Sequence, residues 1–266
     1  MKLIYLGHSA FYIESGDFKA LIDPFIQGNP QCPFELDDFP QLSHILVTHG
    51  HADHIGDTVA LAQKTGALVV CNHELGHYFQ GQGLKNVHTM HIGGRFDRFK
   101  MTPAWHGSSV EIDGKLYDGG TPAGFLIDLD GIKIYHAGDL HWWAWPGDTK
   151  QNINNMTANY QREIAALHAL LNGTADTLAA SSMGAPLLDL AFLPLDGRLE
   201  ENYALGIEYF LQAIPVHHVF PMHFWDKYDV ISNYLEKYNN SNQRQSDSPF
   251  PPTVYSIDRE EQSWTI

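Results

Sequence analysis

The chain opens with three short runs, at residues 2–6, 10–14 and 18–23, in which apolar residues alternate with polar ones or cluster between turns. Such runs predict strands, and Ser15-Gly16-Asp17 predicts a hairpin joining the second to the third. Residues 27–41 hold Gly28, Pro30, Pro33 and Pro40 among scattered aromatics and read as a connection. Ile45-Leu46-Val47 predicts a buried strand. A helix capped by Asp57 or Thr58 then runs to about Lys64, Gly66 ends it, and 67–71 predicts the next strand. This β-α-β order predicts parallel pairing. Asn72 caps another short helix, and 87–90 and 98–104 predict further strands. The runs 124–129 and 132–136 flank Asp130-Gly131, a strong hairpin signal. Tyr160, Ile164, Leu167 and Leu171 recur at helical spacing and predict an amphipathic helix over 159–171. Strands over 188–194 and 216–221 flank a helix over about 202–213. The polar, Pro-containing residues 238–252 read as a solvated loop, and 253–257 with 263–266 as a closing hairpin.

A length of 266 residues with 44% hydrophobic content fits a globular chain with a substantial core. No linker and no short-period repeat divides it. No apolar run reaches membrane-spanning length, so stable membrane insertion is not expected. The opening residues lack a signal peptide's apolar region, so a cytoplasmic location is expected. Two cysteines, Cys32 and Cys71, fit a reducing compartment. Cys71 ends the run Leu68-Val69-Val70 and reads as a buried thiol. The formal net charge of −15 disfavours nucleic-acid backbones and anionic membranes as partners. It leaves room for a small anionic substrate, because bound divalent cations would reverse the local field. A homo-oligomer is compatible with these features.

The candidate chemistry is concentrated in Thr48-His49-Gly50-His51-Ala52-Asp53-His54, directly after the run at 45–47. Imidazoles and carboxylates are ligands for divalent transition metals. An extended segment would point His49 and His51 the same way, and Asp53 and His54 follow as the chain turns. Among the other histidines of the sixteen, His73 and His77 lie one helical turn apart, a spacing that can bind metal on one face. No nearby residue completes a site there, and the default is a surface pair.

The motif His49-x-His51-x-Asp53-His54 resembles the metal-binding signature of the metallo-β-lactamase superfamily. More closely, the chain is similar to that family's metal-dependent hydrolase branch, which includes L-ascorbate-6-phosphate lactonases and N-acylphosphatidylethanolamine phospholipase D. Segments 2–11 and 21–24, Pro103-Ala104-Trp105-His106, Tyr135-His136-Ala137-Gly138-Asp139 and Pro221-Met222-His223 carry the resemblance in the same order. It implies an α+β fold, the four-layer αβ/βα sandwich, with two mixed β-sheets and helices on the outer faces. One domain would span 1–266. After Gly138-Asp139 the chain departs from the family pattern. Leu140 stands where Thr or Ser is usual, and a helical, Trp-rich insertion follows at about 141–188.

The resemblance also implies a ligand set. His49, His51 and His106 would hold one metal, Asp53, His54 and His223 a second, and Asp139 would bridge them. Zn²⁺ suits these ligands best, and Mn²⁺, Fe²⁺ or Ni²⁺ would also be accepted. Asp53 and Asp139 are the candidate catalytic carboxylates. His8, Asp23, His136, His141, Trp142 and Arg198 are candidates for orienting the ligands or contacting substrate. The activity implied is hydrolysis of a phosphodiester or ester by a hydroxide held between two metals. The alternatives are a lactonase acting on a sugar-acid lactone and, in another class, an iron-dependent oxidoreductase on the same fold.

Overall fold

The computed structural model describes residues 1–173, 186–242, 251–258 and 262–266. The chain divides into two compact units, Met1–Gly124 with Asp258–Ile266, and Phe125–Ile257.

The first unit is built on β1 (Lys2–Tyr5), β2 (Phe11–Ser15), β3 (Phe18–Ile22), β4 (His44–Leu46), β5 (Leu68–Asn72) and β6 (Val87–Met90). Strands β1 to β3 form an antiparallel meander; β4, β5 and β6 add in parallel. The sheet is therefore mixed, as expected. Helices α1 (Ala52–Ile55), α2 (Thr58–Thr65) and α3 (His73–Gly81) lie in the crossovers. Leu61 and Ala62 of α2 and Leu75 and Phe79 of α3 bury against Leu21, Ile45, Val47 and Val69. Burying one such side chain stabilises the fold by about 1.5–3 kcal/mol, so this face fixes the helices on the sheet. Gly66 ends α2 at φ +73°, and Asn72 caps α3 by accepting the Leu75 amide at 2.8 Å; both roles match the sequence reading. Cys71 is buried, as expected.

The second unit carries β11 (Ala123–Leu129), β12 (Ile132–His136), β13 (Leu188–Pro194), β14 (Val216–Met222) and β15 (Thr253–Val254). The β11–β12 hairpin is antiparallel, and β13, β14 and β15 follow β12 in parallel. Asp130 and Gly131 take φ of +54° and +91° at the hairpin turn. Helix α4 (Lys150–Asn172) packs on α5 (Leu205–Ala213), where the Tyr160 hydroxyl donates to the Gly206 carbonyl at 2.8 Å. A last helix, α6, spans Asp229–Asn242.

Three expectations need correction. Residues 253–257 and 263–266 do not form a hairpin. Strand β15 extends the second unit's sheet, whereas β16 (Ser263–Thr265) pairs antiparallel with β1 and covers the edge of the first unit's sheet. Helix α4 begins nine residues before the expected 159: Thr149 accepts the Asn152 amide at its N-cap and starts a mostly polar first stretch in which Ile153 and Met156 extend the stripe of Tyr160. Residues 238–242, expected in a loop, belong to α6; 243–250 of that loop lie outside the described residues, as do 174–185 of the expected insertion. Asp57 is the N-cap residue of α2, as expected, but its side chain makes no capping hydrogen bond to the helix. Its carboxylate accepts the Ile26 and Gln27 amides at 3.0 and 2.7 Å, which ties down the chain after Asp23. The hairpin of β9 (Ser109–Ile112) and β10 (Lys115–Asp118) was not anticipated, although Asp113-Gly114 is a turn signal of the same kind as Asp130-Gly131. A shorter hairpin, β7 (Arg95–Phe96) with β8 (Phe99–Pro103), precedes it.

Gly56 terminates α1 at φ +42°, and a Cβ there would lie 2.2 Å from the Pro24 carbonyl oxygen. Replacing it therefore combines backbone strain with a clash against the loop that follows β3. Gly56→Ala should lower stability by about 2–4 kcal/mol, read as a shift of the urea midpoint at unchanged slope. A variant as stable as the parent would contradict this close approach.

Candidate metal centre

In the first unit, β3 and β4 are parallel neighbours with Ile22 opposite Leu46. The residues just beyond their C-terminal ends are therefore brought together. Asp23 accepts from the Thr48 amide at 2.8 Å and from the Thr48 hydroxyl at 2.7 Å. The same carboxylate lies 2.8 Å from His54 Nδ1. A carboxylate can only accept there, so Nδ1 carries the proton and Nε2 is the nitrogen left to bind a metal. Asp23 and His54 are fully buried. Asp23 adopts φ +48°, a left-handed conformation that costs about 1–3 kcal/mol in a non-glycine residue. The three hydrogen bonds to its carboxylate offset that cost.

The extended segment after β4 places His49 Nε2 3.0 Å from His51 Nδ1. His106, delivered by the C-terminal end of β8, sets its ring 5.3 and 5.1 Å from the rings of His49 and His51. One ligand atom from each of the three lies within 4.8 Å of the others. Helix α1 carries Asp53 and His54. Asp53 sits 3.1 Å from His8 Nε2, and His8, Asp53 and His54 also offer ligand atoms within 4.8 Å of one another. His8 is fully buried, with φ +52°. Gly50 lets this loop approach the unanticipated β9–β10 hairpin. Its amide donates to the Ser108 hydroxyl at 3.1 Å, and a Cβ would stand 3.0 Å from the Ser109 carbonyl.

The second unit repeats the same device. Strands β13 and β14 are parallel, with Pro194 opposite Met222, so Asp196 and His223 meet just past their ends. Asp196 lies 3.1 Å from His223 Nδ1, and His223 Nε2 lies 3.0 Å from Asp139. Asp139 follows β12 in a turn where the Gly138 amide donates to His136 Nδ1 at 3.1 Å and the Trp143 indole donates to the Asp139 carbonyl at 3.2 Å. Arg198 clasps Asp196 through Nε and Nη2. Its guanidinium is flanked by Trp145 and Trp225 at 5.7 and 5.6 Å. Arg198 is thus held in place by a carboxylate and two indoles. Burial raises the Asp196 carboxyl's cost of ionisation, but hydrogen bonds from His223 and Arg198 outweigh it and hold the group well below the carboxylate range.

Among the remaining candidates, the His136 ring packs on Phe192 and shapes the turn before Asp139. Trp142 donates to the Thr157 hydroxyl at 3.1 Å and packs on Tyr160 and Tyr209, so it anchors α4. His141 is buried against Gly206, where a Cβ would come within 2.5 Å of its Nδ1. Burial lowers its pKa to about 4 despite the pull of Asp196 and Asp139. Thr48 and Asp196 escaped the sequence reading. The available signal was position alone, since each follows a buried strand that runs parallel to the one before the histidine or carboxylate it contacts.

Three imidazoles in one cluster, and imidazole with carboxylate in the other, are donor sets suited to divalent transition metals. The 3.0 Å between His49 Nε2 and His51 Nδ1 matches two ligands on one ion, since nitrogens about 2.0–2.1 Å from a shared zinc stand roughly 3 Å apart. In chelator-treated protein His223 has a specific signature. Burial opposes its charge, but Asp139 and Asp196 more than compensate and raise its pKa to about 9. A pKa raised from 6.5 contributes stability that is full below 6.5 and lost as pH rises through about 9. Nitrogen-15 NMR of the metal-free protein at pH 8 should find this ring protonated, and a neutral ring would contradict the two ion pairs.

Residues 19–179 match the family described as the Beta-lactamase superfamily domain. A UPF0173 metal-dependent hydrolase of Heliobacterium modesticaldum is 36% identical over 232 residues, covering 84% of this chain and 82% of that one. A UPF0173 metal-dependent hydrolase of Alkaliphilus metalliredigens is 50% identical over 143 residues, 52% of this chain; that match spans only 63% of the relative's length. Among solved structures, Igni18, a metallo hydrolase from the archaeon Ignicoccus hospitalis, aligns over 100% of this chain and 98% of its own at 24% identity with a TM-score of 0.65, a likeness of fold. The chain has the metallo-β-lactamase fold and belongs to the metallo-β-lactamase superfamily.

Proposed function

We propose that the protein is a metal-dependent hydrolase that cleaves a phosphodiester or carboxylic ester in a small-molecule substrate. What supports this most is the pairing of two of the candidate histidine ligands with buried carboxylates, Asp23 with His54 and Asp196 with His223. Such pairs fix the tautomer and raise the basicity of a metal-binding imidazole. The relatives named as metal-dependent hydrolases support it further.

In this reading His49, His51 and His106 would hold one divalent cation, Asp53, His54 and His223 would hold a second, and Asp139 would serve both. Zinc fits the donors best, with manganese, iron and nickel as alternatives. Bound there, such ions would acidify water and polarise the oxygen of a scissile carbonyl or phosphoryl group. The chain's own groups do the rest. Asp23 and Asp196 keep His54 and His223 aimed. Asp53, with 22% of its side chain exposed, assists proton transfer to solvent. His141, neutral at physiological pH because it is buried, adds no charge beside Asp139. Trp143 and Trp145 stack at 5.7 Å and form an aromatic wall next to His223, whose ring lies 5.8 Å from Trp143; a substrate with a flat apolar part would pack there.

Asp23→Asn and Asp196→Asn should each weaken metal binding about 10–100-fold and lower turnover in step. Asp139→Ala should lose both bound metal and activity. The measurements are metal content after dialysis and rates on a panel of aryl phosphodiesters, aryl esters and sugar lactones. Preference for lactones would redirect the reading to a lactonase. Full activity with unchanged metal content in Asp139→Ala would rule out the bridging role.

A further inference from the structure

We propose that His73 and His77 form a separate surface site for a late first-row divalent cation, on the outer helix of the first unit and independent of the hydrolase reading. The two residues are one turn apart on α3, which places them side by side on one helix face. Their Nε2 atoms lie 3.1 Å apart, and their rings meet edge to face at 4.5 Å. Two imidazole nitrogens about 2.0–2.1 Å from a common ion, subtending 90–110° at it, are separated by roughly 2.9–3.4 Å. The pair already has the spacing of a shared metal. It matches the 3.0 Å between His49 Nε2 and His51 Nδ1 in the candidate centre.

The pair is also held in that geometry. Asn72 caps the helix at the turn that begins with His73. Leu75, Gly76 and Phe79 bury the opposite face. Gly76 allows an unusually close approach to β6, since a Cβ would stand 2.0 Å from Thr89 Cγ2. Strand β6 ends at Met90, and the next residue, His91, stacks its ring on His73 at 5.5 Å and 24°. His73 is therefore confined between His77 and His91. His73 is half-buried and His77 exposed, so water can fill the remaining coordination positions. Two imidazoles without a carboxylate favour Cu²⁺, Ni²⁺ and Zn²⁺ over Mg²⁺ and Mn²⁺.

Two neutral imidazoles sharing a hydrogen bond would also stand 3.1 Å apart, and metal binding separates the two cases. The test is equilibrium dialysis against Ni²⁺ of the full chain loaded with two equivalents of zinc, enough for the candidate centre alone, with metal counted per chain and electron paramagnetic resonance on a parallel Cu²⁺ sample. Wild type should take up one equivalent beyond its zinc, with a copper signal showing two nitrogen ligands. His77→Ala and His73→Ala should weaken that equivalent by at least about tenfold, as expected when a second tethered ligand is removed, and show one nitrogen or none. His77 is exposed, and an unchanged far-ultraviolet circular dichroism spectrum would verify the fold of its variant. Zinc already bound, and any esterase activity, should not change in His77→Ala. Absence of the extra equivalent in wild type, or its undiminished retention in both variants, would overturn the proposal.

Discussion

An imidazole that is to present one nitrogen to a cation needs its other nitrogen held, and a buried carboxylate is the strongest neutral-pH acceptor a protein can place there. Asp23 and Asp196 do this for His54 and His223. Neither carboxylate could stay buried unsupported, since an isolated buried charge costs several kcal/mol. Thr48 supplies two donors to Asp23, and Arg198 supplies its guanidinium to Asp196. Positive φ at Asp23 and His223, +48° and +64°, marks where the backbone yields to this requirement.

The scaffold meets the requirement with parallel strand pairs. Ile22 faces Leu46 across β3–β4, and Pro194 faces Met222 across β13–β14. Asp196 and His223 lie two and one residues past their paired positions, and Asp23 and Thr48 one and two past theirs, with His54 following in α1. Parallel neighbours end at the same edge, so short loops leaving them converge without a long excursion. The remaining ligand candidates use the same logic at the ends of β4, β8 and β12. Packing of α2 and α3 on one face of the first unit's sheet keeps that edge in register, and Gly50 and Gly56 permit the close backbone contacts that seat the histidine loop.

How much of this could be read from the chain follows from what each feature depends on. The strands, the Asp130-Gly131 hairpin, Asn72 as a cap and the clustering of His49, His51, Asp53 and His54 are local, and local pattern sufficed for them. Thr48 and Asp196 were missed because their roles depend on which strands are neighbours, which alternation does not encode. The closing hairpin failed for the same reason: 253–257 and 263–266 have strand character, but their partners are β14 and β1. Helix α4 starts earlier than the expected 159 because its first nine residues carry only Ile153 and Met156 among mostly polar residues, a weak extension of the stripe, and the Thr149 cap marks its start. The clasp of Arg198 on Asp196 between Trp145 and Trp225 is not legible in the chain, because the two indoles lie on other loops.

The most direct measurement is elemental analysis of the His77→Ala chain, loaded with zinc and dialysed free of excess, so that the surface pair contributes nothing to the count. Two equivalents per chain are predicted, with a proton released at pH 8 as His223 gives up the charge it holds below about pH 9. A chain that retains no metal after loading, from zinc, manganese, iron or nickel, would contradict the account.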